Sequence, residues 1–404
     1  MTDFKTVKPA KHGFSAPRLK RIGDWMHSYV DGGKLPFAET LIARRGEIVF
    51  HETIGHRDVE NGLPAEPNGI HRIYSMTKPI VSTAIIQLLE AGKLQLDDPV
   101  AKHIPELADL KVLGEDGESM HVAKTQPTLH HLLTHTSGLT YGIFDPGPVG
   151  KALRKAKIDF SEKHGRLDET VAKLAEIPLV FEPGTRWNYG VSTDVLGRVV
   201  ETASGVSLAE YLHDHIFEPL GMEDTFFAVP ADKLDRFSAC YAKTEDEGIR
   251  RVDEIEESRY ANSVTMFSGG GGLCSTVMDY MRFMEMIRTH GGGGDEPVLG
   301  RKSVELMLMN HLPSDMASMG QSVFSEMPMK GIGFGLGGSV VLNPAENKLL
   351  GSAGEWAWGG VASTGFWIDP KEEISVVHMT QLMPSSSYPL RRELRTLVYQ
   401  ALVG

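Results

Sequence analysis

Ser75 and Lys78 stand three residues apart in the stretch Arg72-Ile-Tyr-Ser-Met-Thr-Lys-Pro-Ile-Val81, where an apolar-periodic segment begins. Residues at that spacing are neighbours on a helix surface, so the amine can reach the hydroxyl without help from the rest of the fold. The partial positive charge of a helix N-terminus and the loss of water in a cleft both disfavour an ammonium ion, and an uncharged amine beside a serine is a general base. The plain alternative is that Ser75 caps a helix and Lys78 is solvated. A Ser-x-x-Lys tetrad turns up roughly once by chance in a chain this long, so other residues must decide.

Three further segments decide it: "HHLLTHTSGLTYG" at 130–142, "FEPGTRWNYGVSTDVLGRVVETASGVSLAEYLHDHIFEPLGMEDTFF" at 181–227 and "WAWGGVASTGFWIDP" at 356–370. With the Ser-x-x-Lys element they follow the order and spacing of the serine β-lactamase and penicillin-binding-protein superfamily. The chain resembles its class C branch, and specifically the family VIII carboxylesterases, from about residue 15 to the C-terminus. The resemblance implies an α+β, β-lactamase/transpeptidase-like fold, with an antiparallel sheet flanked by N- and C-terminal helices and a mostly helical lobe. It implies that Tyr189, in Tyr189-Gly190-Val191, lies beside Ser75 and Lys78 and shares the base role. Near a cationic lysine a phenol gives up its proton more readily. Trp358-Gly359-Gly360 takes the place of the Lys-Thr-Gly element, which implies an edge strand lining the cleft, with the backbone N–H groups of Ser75 and Val361 as the oxyanion hole.

Two departures bear on substrate. Val191 stands where an asparagine amide would hold a β-lactam side chain, and Trp358 stands where a lysine would bind its carboxylate. Both remove polar anchors, so a neutral, apolar small molecule such as a short-chain ester suits the cleft, with weak β-lactam hydrolysis as a side activity. Trp358, Gly359, Gly360, Val191, Tyr141 and Trp187 are the expected substrate-binding residues. No metal or cofactor is required. The rival readings are a β-lactamase or amide and D-amino-peptide hydrolase, an acyltransferase to an alcohol, and a binding module that acylates and stalls.

Other motifs are decoys. Gly333-Phe-Gly-Leu-Gly-Gly338 precedes a strand, whereas a dinucleotide site needs a strand before it and a helix after. His131 and His135 have zinc-pair spacing without a neighbouring Glu. The glycine runs at 269–272 and 291–294 lack the ending of a phosphate loop and read as flexible turns. No G-x-S-x-G is present, which disfavours an α/β-hydrolase.

The elements that must position these groups follow from periodicity. Helical spacing runs from Ser15 to Asp31, and "ETLIARR" and "EIVFHETIG" form a hairpin hinged at Gly46. Near the C-terminus "ASTGFWID" and "ISVVHMTQL" form a second hairpin before a helix carrying Leu390, Leu394, Leu397, Val398 and Leu402. Ser75 and Lys78 fall in the first turn of a helix that Gly92 ends, and capping boxes are expected at Ser207/Glu210 and Thr276/Asp279. The middle is helical. The pattern predicts an α/β lobe from 1–85 and 230–404, a helical lobe at 86–229 and a cleft between them. The acidic segment "KTEDEGIRRVDEIEESRY" reads as a solvated loop.

With 404 residues, 41% hydrophobic and 23% charged, the chain can build a folded two-lobed molecule. A net charge of −12 with scattered basic residues argues against nucleic acid. The absence of a long apolar run or a secretory leader points to no membrane and a cytoplasmic location. Cys240 and Cys274 read as buried and reduced. The oligomeric state, including a homo-oligomer, stays open.

Overall fold

The computed structural model describes residues 4–292 and 297–404. Gly293 and Gly294 of the second glycine run therefore lie outside the described residues, as do residues 1–3 of the first expected lobe. An eight-stranded antiparallel sheet is assembled from both ends of the chain. The N-terminal part supplies β1 (Phe37–Arg44), β2 (Glu47–Asp58) and β3 (Leu63–Pro64). The C-terminal part supplies β4 (Ile332–Phe334), β5 (Ser339–Val341), β6 (Trp356–Gly359), β7 (Gly365–Asp369) and β8 (Ile374–Met379). The strands lie in the order β4-β5-β6-β7-β8-β1-β2-β3, and the two ends join where β8 pairs with β1, Leu41 opposite Val377.

Local chemistry sets these pairings. Arg45 and Gly46 take φ of 56° and 77°, the two-residue turn whose twist suits an antiparallel hairpin. Between β7 and β8, Asp369 Oδ1 accepts the N–H groups of Lys371 and Glu372, both at 3.1 Å, which folds the chain back. β1 is buried along its whole length because both faces of the sheet are covered. Helices Ala16–Val30 and Leu390–Ala401 pack together over one face, through Ile22, Met26, Leu394 and Val398 onto Ile42, Val376 and Trp367. Helix Val277–Arg288 covers the other face, where Leu41, Phe366 and Val377 join the larger core.

The middle of the chain is helical, and helix Thr77–Glu90 packs on helix Ser192–Ser204. It closes through Ala91 and Gly92, the latter at φ 67°, as its position predicts. The boundary placed at residue 85 falls inside this helix. Ser207 and Thr276 each accept the amide three residues on, at 3.2 and 3.1 Å. Neither box is completed: Glu210 makes no return bond to the Ser207 amide, and the Asp279 carboxylate accepts from the Asp224 amide and Thr225 hydroxyl instead. A reciprocal box forms instead at Thr128 and His131.

The acidic segment is solvated only in part: Glu245, Asp246, Glu247, Glu254, Glu256 and Glu257 are exposed, but its centre is a strand. Ile249–Asp253 pairs with Cys240–Lys243, and Leu382–Met383 adds a third strand beside it. Two of its charges are used inward: Asp253 binds Arg72 at 2.7 Å and Arg251 meets Asp58 at 3.2 Å. A charge run shows composition, and only the partners contributed by distant strands reveal that it is paired. Cys240 and Cys274 are buried and unpaired. No helix among the described residues is long and apolar enough to cross a membrane.

Candidate active site

A strained turn presents Ser75. His71–Arg72 pairs with Cys274–Ser275, and the fully buried Arg72 guanidinium donates to Asp253 Oδ2 at 2.7 Å, Ser238 O at 2.5 Å and Ser258 Oγ at 3.0 Å. Burial is the largest influence and opposes that charge, but the fields of Asp253, Cys240, Tyr74 and Cys274 together outweigh it, so the guanidinium holds its proton more firmly than usual. Tyr74 then takes φ 44°, a value a bulky residue adopts only where its surroundings impose it. Ser75 occupies the short turn Tyr74–Met76, and the α-helix starts at Thr77. The expected single helix thus begins later, with Lys78 in its first turn and Ser75 ahead of it.

Ser75 and Lys78 meet a side chain distant in sequence here. Tyr189 Oη donates to Ser75 Oγ at 2.6 Å, and Lys78 Nζ lies 3.3 Å from the same oxygen. Lys78 is 1% exposed, and its nitrogen also donates to Gly270 O at 2.8 Å and Tyr141 Oη at 3.0 Å. Tyr141, expected as an apolar wall, therefore also holds the lysine, while still lining the cleft.

The sequence reading missed the other side of this lysine. Gly269–Gly272, expected as a flexible turn, is tightly packed: a Cβ on Gly270 would come 2.4 Å from Asp194 Oδ2 and 2.7 Å from Tyr141 Oη. Asp194 is buried, and its Oδ1 accepts Ser268 Oγ at 2.6 Å and the Gly270 N–H at 2.9 Å. Burial pushes its carboxyl above the ordinary range while the charge of Lys78 pulls it down. Burial, then the fields of Asp194 and Tyr189, push the Tyr141 phenol well above its ordinary value. Nothing local marks Asp194, because an acid in the first turn of a helix is commonplace. His135 packs its ring 4.9 Å from Tyr189, and burial, with the charge of Lys78, holds its imidazole well below the ordinary value. His131 accepts the Thr128 amide at 3.2 Å, so the zinc-spaced pair serves two separate structural tasks.

The cleft is a cavity of about 930 Å³ lined by Ser75, Tyr141, Trp187, Tyr189, Trp358, Gly359, Gly360 and Val361. Phe324 completes its aromatic wall, stacked 5.3 Å from Trp358 and edge-on to Tyr189 at 4.9 Å. It sits on the hairpin of Val323–Phe324 and Met327–Pro328, which the sequence reading did not single out. Val191 is buried ahead of helix Ser192–Ser204 and is not among the lining residues. Arg186 and Arg259 also line the cavity, so the cleft is not without cations, contrary to expectation.

Trp358-Gly359 ends β6, within the sheet rather than at its edge. A Cβ on Gly360 would come 2.5 Å from the Ile73 carbonyl oxygen, so only glycine lets this backbone approach the segment leading into Ser75. The next amide, that of Val361, has no acceptor among the described residues.

Residues 23–400 match the family described as Beta-lactamase. Esterase EstB of Burkholderia gladioli is 34% identical over 383 residues, covering 91% of each chain. The solved structure of EstCE1, described as a hydrolase with promiscuous acyltransferase activity, superposes with a TM-score of 0.80 at 26% identity, over 96% of this chain and 99% of that one. Simvastatin synthase LovD from Aspergillus terreus, unliganded as a selenomethionyl derivative, gives 0.80 at 26% identity, over 96% and 100%.

Proposed function

The chain belongs to the beta-lactamase family and groups within it with the family VIII carboxylesterases, and from that premise we propose that it cleaves short-chain carboxylic esters through an acyl-enzyme on Ser75. The observation that carries this reading is the meeting of Tyr189 Oη and Lys78 Nζ on Ser75 Oγ inside a largely aromatic cleft.

The proposal needs Lys78 in its uncharged form at the moment of attack, with two N–H groups and one lone pair in place of the three N–H groups that meet Ser75, Tyr141 and Gly270 in the charged form. Gly270 O and Tyr141 Oη take the two donors, which leaves the lone pair for Ser75. Ser75 Oγ attacks the ester carbonyl as its one proton passes to the Lys78 amine, with the Tyr189 phenol hydrogen-bonded to the same oxygen, and the Ser75 and Val361 amides receive the negative oxygen. Tyr189 gives its phenol proton to the departing alkoxide and is reprotonated by Lys78. Water then repeats the attack on the acyl-serine and frees the acid. A small, neutral ester in the cytoplasm is the substrate this reading takes, with the walls formed by Trp187, Phe324 and Trp358 holding its apolar part.

A panel of p-nitrophenyl esters and a chromogenic cephalosporin, given to wild type and Ser75→Ala, tests this. Short acyl chains should turn over, the cephalosporin slowly or not at all, and the variant nothing; unimpaired ester cleavage by Ser75→Ala ends the proposal. A second reading, transfer of the acyl group to an alcohol, is favoured by relatives such as the monacolin J acid methylbutanoyltransferase of Aspergillus terreus, 29% identical over 84% of this chain. Chromatography with an added alcohol separates the two, since transfer yields a new ester and hydrolysis only the acid.

A further inference from the structure

Arg391 has no part in the chemistry above, yet its guanidinium lies against the catalytic strand. It stands in the first turn of helix Leu390–Ala401, with its side chain 18% exposed. Nη2 donates to Gly360 O at 2.9 Å and Thr364 O at 2.8 Å, and Nε reaches Thr364 O at 3.2 Å. Nη1 donates to Glu326 Oε2 at 3.1 Å and Ser325 Oγ at 3.4 Å, on the hairpin that carries Phe324. Two glycines clear the space for it: a Cβ on Gly359 would come 2.6 Å from Nη2, and one on Gly365 3.0 Å from Nε.

The Gly360 carbonyl and the Val361 N–H belong to one peptide unit. We propose that Arg391 is a positioning residue for the oxyanion hole: by binding the carbonyl end of that peptide it fixes the direction of the Val361 N–H and strengthens it as a donor. The inference rests on the reading above that this N–H meets the oxyanion. A cation on the carbonyl oxygen draws electron density along the amide, so the N–H at the other end carries more positive charge, as in any polarised chain of hydrogen bonds. The planar group is rigid in its plane, so a donor fixed at one end fixes the direction at the other. Five contacts on three segments hold the guanidinium still, which is what preorganised stabilisation requires. The competing account is that Arg391 merely clips the hairpin to the turn through Glu326.

Kinetics and infrared spectra separate these accounts. Arg391→Gln should lower kcat for p-nitrophenyl acetate about tenfold or more, short of the 10²–10³ lost with a whole donor, with KM changed under about threefold. Glu326→Gln, which loosens only the clip, should stay within about threefold of wild type in kcat. Equal losses in the two variants, or an unchanged kcat in folded Arg391→Gln, overturn the proposal. The carbonyl band of the acetyl-enzyme, followed with ¹³C-carbonyl p-nitrophenyl acetate, reads the hydrogen bond itself. In wild type it should lie below the band of the unfolded acyl-protein, and in Arg391→Gln it should move back up. If wild type shows no lowering, the oxyanion reading is what fails; if both show the same lowering, Arg391 is exonerated and that reading stands. Should Arg391→Gln not fold, Arg391→Lys is scored on the same band, with an intermediate position expected and a wild-type position contradicting the role.

Discussion

Tyr189 approaches the nucleophile more closely than the lysine does: its hydroxyl is 2.6 Å from Ser75 Oγ, against 3.3 Å for Lys78 Nζ. The lysine is the more heavily tethered, bound to Gly270 O and Tyr141 Oη as well. In the proposed reaction the phenol is thus the group placed to hand a proton to the leaving group, and the amine the group whose environment is most fixed.

Lys78→Ala and Tyr189→Phe should each lower kcat by about 10³, the range for a lost acid or base. The double variant should be scarcely worse than either single one, because the groups act on one oxygen. Steady-state rates on one ester check this, and multiplying losses would contradict the shared role.

Gly360→Ala should lower kcat by about 10²–10³, as for a lost oxyanion donor. The added Cβ would lie 2.5 Å from the Ile73 carbonyl oxygen, and backbone cannot move aside as a flexible side chain would. A thermally stable variant with wild-type kcat would show that the Val361 amide is not at work there.

Phe324→Ala should widen the cleft between Tyr189 and Trp358. Longer acyl chains should gain in kcat/KM relative to acetate by about 10-fold or more, the discrimination a few methylenes can supply. An unchanged ranking across a p-nitrophenyl ester series would place the acyl group elsewhere.

His378 should make the fold acid-sensitive. Burial, with a smaller effect of the Arg391 charge, holds its imidazole at about 3 against an ordinary 6.5. The unfolded chain takes up a proton below about pH 6.5 that the folded chain refuses until about pH 3, so this stability is complete above that window and lost as pH falls through it. The contribution changes by about 1.4 kcal/mol per pH unit. Urea unfolding at about pH 6 and about pH 4 should show a smaller loss in His378→Gln than in wild type, and equal losses would sink the assignment.

Much of the site was legible in the residues. Ser75, Lys78 and Tyr189 could be named because a helix turn sets the first spacing and a motif marks the third. Both hairpins at the chain ends, with Gly46 at the turn of the first, could be read because period-two alternation and turn residues are local properties. Asp194, the packing at Gly270, Phe324 and Arg391 could not, because each looks ordinary among its neighbours. A first-turn acid, a glycine run, a surface-like hairpin and a helix-terminal arginine acquire their roles only from what the fold sets against them. The same holds for the acidic segment, whose Asp253 steadies Arg72 three residues before the nucleophile. Sequence alone thus determined which groups the proposed reaction uses and which strands form the two terminal hairpins, since motif spacing marks the first and local backbone pattern the second. Tertiary structure decided which donors and charges surround them, because hydrogen bonds and electric fields act through distances of a few ångströms that chain separation does not encode.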